Sequence, residues 1–341
     1  MHMARRGYGK FVVAGLVFAG FAANLFWWRF EGLKRWELLL PVNSCVAALG
    51  CYVLSRRWVS SFLGSLLAGA IYGFGPFMLG LGKFHPTAGF LAASIPWFFC
   101  PAAFGGKTKW RRNAGLLVIL PFAAIVLFFE ASAHYGLFPV SIRIRLGTDD
   151  LVSLFVPLVV AEHDIVNTTM VGFYHIPIAA LVMGGAMLLA AKRLHIIALC
   201  LVGVALACCK SFLEVSPVMW LSIPAVCCSV LIGAGIEGLT LAGSADKKWL
   251  LTAGVIQGGC AIAALFLATK YFQVFLGLGD NYARLFVQTA EMYVLGAVAV
   301  MILFFTAGAK LRIRPIRGAI LCLSIAIDIF LGAGFIIACV L

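Results

Sequence analysis

Long apolar runs, each of about 20 residues and nearly free of charge, follow one another along the chain. A helix that crosses a membrane needs such a run, because the hydrocarbon core is about 30 Å thick and a helix rises about 1.5 Å per residue. The runs are continuous, whereas the strands of membrane β-barrels alternate apolar and polar residues. Only 11% of the residues are charged, against about a quarter in soluble proteins. The sequence therefore predicts an all-α, polytopic bundle of transmembrane helices.

About eleven of these runs are long enough to be membrane spans. Residues 151–161 are too short to cross, so we interpret them as an interfacial or re-entrant piece of a long loop, 134–169. No change in composition marks a soluble domain, and residues 1–341 are predicted to form a single membrane domain. The predicted spans lie at about 10–29, 37–55, 59–82, 87–105, 114–133, 170–191, 195–215, 217–243, 249–277, 285–309 and 319–341.

The net charge of +13 comes mainly from Lys and Arg residues in short turns between the apolar runs. Basic clusters of this kind are typical of cytoplasmic loops. Because they fall in every second gap between the predicted spans, we expect the N-terminus in the cytoplasm and the C-terminus outside. The same distribution argues against a nucleic-acid-binding surface, so the expected partner is the lipid bilayer.

The loop 134–169 then faces outward, and it contains a dense group of ionisable side chains. Carboxylate oxygens are the ligands that Mg²⁺ and Mn²⁺ prefer, and paired carboxylates can also act as acid and base. The spacing matches no established ligand motif, and a solvated, charged loop is the alternative interpretation. The candidate catalytic residues are Asp149, Asp150, Glu162 and Asp164, with His163 as a further metal ligand.

Arg143 and Arg145 alternate with apolar residues in the same loop. Guanidinium groups in such a position can bind an anionic headgroup or a pyrophosphate. The alternative is an interfacial segment whose arginine side chains extend toward water. His85, in the turn Lys83–Pro86, is a third candidate for contact with a phosphate.

Ionisable residues also fall inside the predicted spans, where a charged side chain is energetically costly. Such groups should face protein and find partners. They indicate either a proton or ion path or interhelical pairs, such as Lys270 with Glu291. The residues concerned are Glu237, Lys270, Glu291 and Asp328.

Ion paths of this kind are commonly built from helices that are broken near the middle of the membrane. Glycine and proline residues in two predicted spans are candidates for such breaks: Gly73, Gly75 and Pro76 in 59–82, and Pro96 with Pro101 in 87–105. A transporter or flippase is therefore one hypothesis for the function.

Short stretches between about residues 50 and 240 occur in an order that is typical of one family. They are Ser55–Arg57 with Ala70–Phe77, Lys83–Pro86 with Ile95–Trp97, Val171–Pro177 with Leu181, and Ile232–Glu237. In this order they resemble the GT-C-type membrane glycosyltransferases, and most nearly the bacterial YfhO-like multispanning proteins. The corresponding patterns in the family are, in the same order, a basic turn before a span, a His-Pro turn, the opening of a span after the long outer loop, and a span that ends in Gly-x-Gly.

The resemblance implies lipid-linked sugar or cell-envelope glycan chemistry, with a polyprenyl-phosphate sugar bound at the outer face of a bacterial inner (plasma) membrane. It also implies a carboxylate-based or metal-assisted site, with a general base for the acceptor and basic groups for the lipid phosphate. The chain departs from the family in its first outer loop, which is only about Phe30–Trp36 and contains no Asp. Either the site is rebuilt from 134–169, or the chain is a catalytically degenerate relative that serves as a structural or accessory subunit of a larger membrane complex.

Overall fold

The computed structural model describes residues 2–27, 39–84, 86–104, 114–135, 182, 194–209, 217–274, 280–308 and 313–338. Within these ranges the chain is helical and contains no β-strand, which confirms the all-α class for this part of the protein. The helices are α1 (His2–Trp27), α2 (Leu39–Ser55), α3 (Phe62–Phe74), α4 (Pro76–Phe84), α5 (Pro86–Phe104), α6 (Ala114–His134), α7 (Leu194–Cys208), α8 (Ser222–Thr240), α9 (Lys247–Val274), α10 (Asp280–Thr306) and α11 (Arg314–Ala338).

Several of these helical segments are long and apolar enough to cross a membrane, which makes the chain an integral membrane protein. Seven meet this criterion in the described ranges: Gly9–Phe26, Phe62–Lys83, Thr87–Phe104, Met219–Thr240, Ser244–Thr269, Phe286–Thr306 and Arg314–Gly334. Shorter apolar helices lie at further predicted spans: Leu39–Ser55, Leu120–Ser132 and Ile196–Cys208. The predicted span 170–191 and the interfacial piece 151–161 lie outside the described residues, so the total number of spans stays a prediction.

Two spans form the centre of the bundle. In an 18-residue window of Met219–Thr240, 89% of the residues are buried inside the protein, and in the corresponding window of Phe62–Lys83 the share is 78%. The share is only 28% in both Gly9–Phe26 and Ser244–Thr269, which therefore lie at the periphery. The interior of the protein is thus built around α8 and the pair α3–α4.

Glycine residues allow the two central spans to touch. A Cβ on Gly64 of α3 would lie 2.7 Å from the carbonyl oxygen of Gly233 in α8, and a Cβ on Gly233 would lie 2.6 Å from that of Gly64. Real Cβ atoms do not approach a carbonyl oxygen so closely, so both positions require glycine. Small residues are the usual means of helix association in lipid, where the acyl chains are as apolar as the side chains they touch.

The described basic turns gather at one end of the bundle, here called the basic end. The Tyr52 hydroxyl near the end of α2 donates to the carbonyl oxygen of Lys10 in α1 (3.5 Å), and the Lys247 ammonium at the start of α9 lies 5.5 Å from the ring centre of Phe304 in α10. α1 and α2 therefore run in opposite directions, as do α9 and α10, in agreement with the charge pattern. Which side of the membrane the basic end faces stays a prediction. The basic residues at this end whose side chains the structure describes are Lys10, Arg56, Arg57, Lys247, Lys248, Arg314 and Arg317.

α3 and α11 run side by side in the same direction. Near the basic end, a Cβ on Gly318 of α11 would lie 3.1 Å from a methyl carbon of Leu63 in α3. Further along, a Cβ on Gly332 would lie 3.4 Å from Pro76, where α4 begins. The two contacts advance by a similar number of residues on both helices. Positions of α11 between them therefore lie level with the corresponding positions of α3.

Candidate functional site in a broken span

The residues predicted to form an outer-loop site lie outside the residues that the structure describes. Their roles therefore stay predictions, and the described residues with chemical potential are those inside the spans. The residues left as predictions are Asp149, Asp150, Glu162 and Asp164 for catalysis, His163 for a metal, and His85, Arg143 and Arg145 for a phosphate.

The span formed by α3 and α4 is broken in its middle. α3 ends at Phe74, Gly75 has an extended backbone (φ −71°, ψ 160°), and α4 begins at Pro76. Pro76 has no backbone N–H, so the carbonyl of Tyr72 loses the donor that a continuous helix would supply. The Gly75 carbonyl accepts the first hydrogen bond of α4, from the backbone N–H of Leu79 (3.1 Å). The break expected from the Gly-Pro pair is confirmed.

The second candidate for a break, in α5, is not broken. Pro96 and Pro101 both lie inside the continuous helix Pro86–Phe104. Contacts with a neighbouring helix support it, since the Trp97 indole N–H donates to the carbonyl oxygen of Val46 in α2 (3.1 Å). Prolines are tolerated in membrane helices where neighbouring groups supply such support.

Asp328 lies in the middle of α11 and is only 5% exposed. Its Oδ1 atom has no hydrogen-bond partner among the described residues. The residue falls between Gly318 and Gly332, closer to the latter, so it lies level with the last turn of α3, Tyr72–Phe74. Asp328 lies about 20 Å along α11 from Arg314, which places it near the centre of a hydrocarbon core about 30 Å thick.

The interior around this carboxyl group is mainly apolar. Ser324, one turn earlier on the same face of α11, is 4% exposed. Tyr293 of α10 is an ionisable side chain within electrostatic range of Asp328. The apolar cluster that joins α3 to α11 includes Ile71, Phe74, Ile325 and Ile329.

Glu291 lies on the exposed surface of α10, which corrects the expectation that it faces protein. The register of α10 against α9 explains why Lys270, the expected partner of Glu291, is distant. α9 and α10 form a hairpin in which Gly296 packs against Gln257. Glu291 is thus level with about residue 262 of α9, and Lys270 is about 10 Å further along. This offset disfavours the predicted pair, and the side chain of Lys270 lies outside the described part of the structure.

Glu237, near the end of α8, is bound to the turn between α2 and α3. Its carboxylate accepts hydrogen bonds from the backbone N–H of Ser60 (2.8 Å) and from the Ser60 hydroxyl. The Arg56 guanidinium donates to the carbonyl oxygen of the same serine (2.8 Å). Of the two interpretations of Glu237, the interhelical contact is therefore the one that the structure supports.

Arg317 is a buried cation, although the charge pattern groups it with the basic turns between the apolar runs. It is 5% exposed, and its guanidinium donates to the carbonyl oxygens of Ala242 (2.8 Å) and Thr306. The ends of α8 and α10 and the start of α11 thus meet at one side chain. The only signal in the sequence is that Arg317 follows Arg314 by one helical turn, at the point where the apolar run begins.

Comparison with known proteins finds no match: no protein-family model, curated protein or solved structure matches the chain. In the described part of the chain, no group of three or more His, Cys, Asp or Glu residues could hold a metal ion. Two described features lie at mid-membrane depth, the break between α3 and α4 and the buried Asp328. Together with the fold they define a helical membrane protein with a buried acidic group level with a discontinuous span.

Proposed function

We propose that the protein is a membrane transporter or flippase in which the broken span α3–α4 and Asp328 line the transport path. The observation that supports this proposal is their position at the same depth, since the carbonyl end of α3 is level with a buried carboxyl group on the adjacent helix α11. In secondary transporters, discontinuous helices near the middle of the membrane are the usual place where substrates and coupling ions bind.

Energetic cost supports a functional interpretation of both features. Backbone polar groups without partners are costly in lipid, so irregular backbone occurs where it is buried in protein or lines a cavity. The break fits this rule, because Tyr72, Gly73 and Phe74 are all buried. A buried carboxyl group with one oxygen atom unpaired among the described residues, as in Asp328, adds a further cost. Neither feature stabilises the bundle, and a role in transport accounts for both.

Purified protein in phospholipid vesicles tests the proposal before the substrate is known. The measurements are uptake of radioactive Na⁺, decay of an imposed pH gradient reported by a trapped dye, and flipping of a fluorescent phospholipid. We expect at least one rate to exceed that of protein-free vesicles, to be lost in Asp328→Asn and to persist in Glu291→Gln. Glu291 is the matched control, because it is an acidic residue of another span that faces away from the protein. Rates equal to those of protein-free vesicles in all three assays would contradict the proposal.

Lipid-linked sugar or cell-envelope glycan chemistry is a second candidate function, as the resemblance to GT-C-type enzymes implies. Its support is that two of the resembling stretches, Ala70–Phe77 and Ile232–Glu237, lie on helices that pack together through Gly64 and Gly233. In this proposal the protein lies in a bacterial inner membrane and binds a polyprenyl-phosphate sugar. Carboxylates of the loop 134–169 act as acid and base or hold Mg²⁺ or Mn²⁺.

Alanine variants of the outer loop test this second candidate. Replacement of Asp149 and Asp150, or of Glu162, His163 and Asp164, should abolish glycan transfer in cells that depend on this protein. Unchanged transfer would remove the catalytic role. The accessory-subunit hypothesis predicts instead that a partner protein co-purifies in mild detergent, and purification of the chain alone would count against it.

A further inference from the structure

The end of α3 is the negative end of a helix dipole, and it lies at mid-membrane depth. The last carbonyls of a helix lack intrahelical donors, and Pro76 also removes the donor for Tyr72. The carboxyl group of Asp328 lies level with this helix end on the adjacent, parallel helix. Two negative features at one depth in an apolar interior repel each other and attract a positive charge.

We infer that this place binds one monovalent cation, either a proton or Na⁺. The inference rests on the proposed transport function and deepens it by naming the coupling ion. One carboxylate carries one negative charge, so one positive charge neutralises it. A divalent ion would leave a net positive charge in the membrane interior, which is costly. In transporters, unwound carbonyls and half-helix C-terminal ends coordinate Na⁺ or take part in proton binding.

Two buried serine residues lie within about one helical turn of this level. The backbone of Ser44 in α2 packs against Gly73 in the last turn of α3, and the buried Ser44 hydroxyl oxygen has no partner among the described residues. Ser324 is buried one turn before Asp328 on the same face of α11. The carboxyl oxygen without a partner, these hydroxyls and the Tyr72 carbonyl are hard oxygen donors, which suit Na⁺ as well as a proton relay.

The charge state of Asp328 depends on few neighbouring groups. From α10, Tyr293 is within electrostatic range, and from α3 the Tyr72 hydroxyl donates to a carbonyl of α5 (2.6 Å). Arg317 on α11 and Lys83 on α4 each lie about 16 Å away along the helices. Other titratable side chains on the neighbouring helices are Cys322 and Arg314 on α11, Cys227, Cys228 and Glu237 on α8, Cys45, Cys51 and Tyr52 on α2, and the outward-facing Glu291 on α10. In the described interior, a bound ion is therefore the nearest available countercharge.

A membrane-soluble carbodiimide measures this site separately from transport, because it reacts with protonated carboxyl groups in apolar surroundings. We expect mass spectrometry to locate the modification at Asp328 and to find none at this position in Asp328→Asn. Modification that falls as the pH rises and is the same in Na⁺ and in choline identifies the proton as the ligand. Protection by Na⁺ but not by choline at constant pH identifies Na⁺.

Thermal unfolding of the protein in detergent provides a second readout that does not depend on access of the reagent. An ion bound by the native state and released on unfolding raises the melting temperature as its concentration rises. The wild type and Glu291→Gln should respond to Na⁺ or to lower pH, and Asp328→Asn should not. Absence of labelling at Asp328, together with equal responses of wild type and Asp328→Asn, would overturn the inference.

The two proposals fail in different ways. If labelling and melting show ion binding but the vesicles show no transport, the ion site stands and the transport function is wrong. If Asp328→Asn transports at the wild-type rate and no ion effect is found, the protein is a transporter, but the ion site and the place of Asp328 in the transport path are wrong.

Discussion

The guanidinium of Arg317 donates a hydrogen bond of 2.8 Å to the carbonyl oxygen of Ala242, 75 residues earlier in the chain. A second donation goes to the carbonyl of Thr306, the last residue of α10. Carbonyls at helix ends have no donors within their helix, and the planar guanidinium can serve two of them at once. This one side chain therefore joins the ends of α8 and α10 to the start of α11.

Arg317→Lys should lower the stability of the protein by about 1–3 kcal/mol, because the ammonium group cannot reproduce both bonds and leaves a buried carbonyl without a donor. The measurement is the melting temperature in detergent. Arg314→Lys is the control, since Arg314 lies one turn earlier on the same helix and is exposed. Equal melting temperatures for the two variants would contradict the structural role of Arg317.

Gly233→Ala should destabilise the protein by about 3 kcal/mol, because the new Cβ would meet a backbone oxygen that cannot move independently of α3. That oxygen belongs to Gly64 and would lie 2.6 Å away. Size-exclusion chromatography after heating measures the fraction that stays folded. Gly258→Ala on α9 is the control, since nothing lies within 4 Å of its Cβ and alanine favours a helix. A Gly233→Ala variant as stable as this control would argue against the close crossing of α3 and α8.

The helices and the break at Pro76 could be predicted from the sequence, because run length and the missing N–H of proline are local properties. The exposure of Glu291 could not be predicted. α10 is apolar around most of its circumference, so the sequence pattern does not distinguish the face that meets lipid from the face that meets protein. The burial of Arg317 was also beyond prediction, because both of its acceptors belong to other helices.

The candidate site shows the same division between local and long-range information. The sequence identifies Asp328 as an ionisable residue inside a span, and it identifies the Gly-Pro pair as a possible break. Their equal depth follows from the contacts of Gly318 with Leu63 and of Gly332 with Pro76. These contacts join distant parts of the chain, so a local sequence pattern does not predict them.

Glu237→Gln should cost about 1 kcal/mol, because the carboxylate accepts charge-assisted hydrogen bonds that an amide only partly replaces. Ser60→Ala removes the hydroxyl donor of the same contact. In a double-mutant cycle measured by chemical denaturation, the two changes should be less than additive, since each removes the same interaction. Strict additivity of the two variants would contradict a direct contact between Glu237 and Ser60.

Cysteine labelling should place the basic end in the cytoplasm, because basic turns are retained there. Ser244→Cys adds an exposed thiol at this end, between α8 and α9. Tyr135 is exposed just after the end of α6, and Phe129 of the same helix contacts Trp220 near the start of α8, so Tyr135→Cys adds a thiol at the opposite end. A maleimide that cannot cross membranes should label the Tyr135→Cys thiol in intact cells and the Ser244→Cys thiol only after permeabilisation. The reverse pattern would place the loop 134–169 in the cytosol and remove its predicted outer site.

Pro76→Ala should allow α3 and α4 to join, because alanine supplies the N–H that the Tyr72 carbonyl lacks and favours a helix. We expect a melting temperature equal to or above that of the wild type, together with a reduced rate of the Asp328-dependent movement across vesicles. Pro96→Ala is the matched control, because α5 is already continuous at that position. If Pro76→Ala transports at the wild-type rate, the broken span is not part of the path. A loss of both folding and transport would instead assign Pro76 a purely structural role.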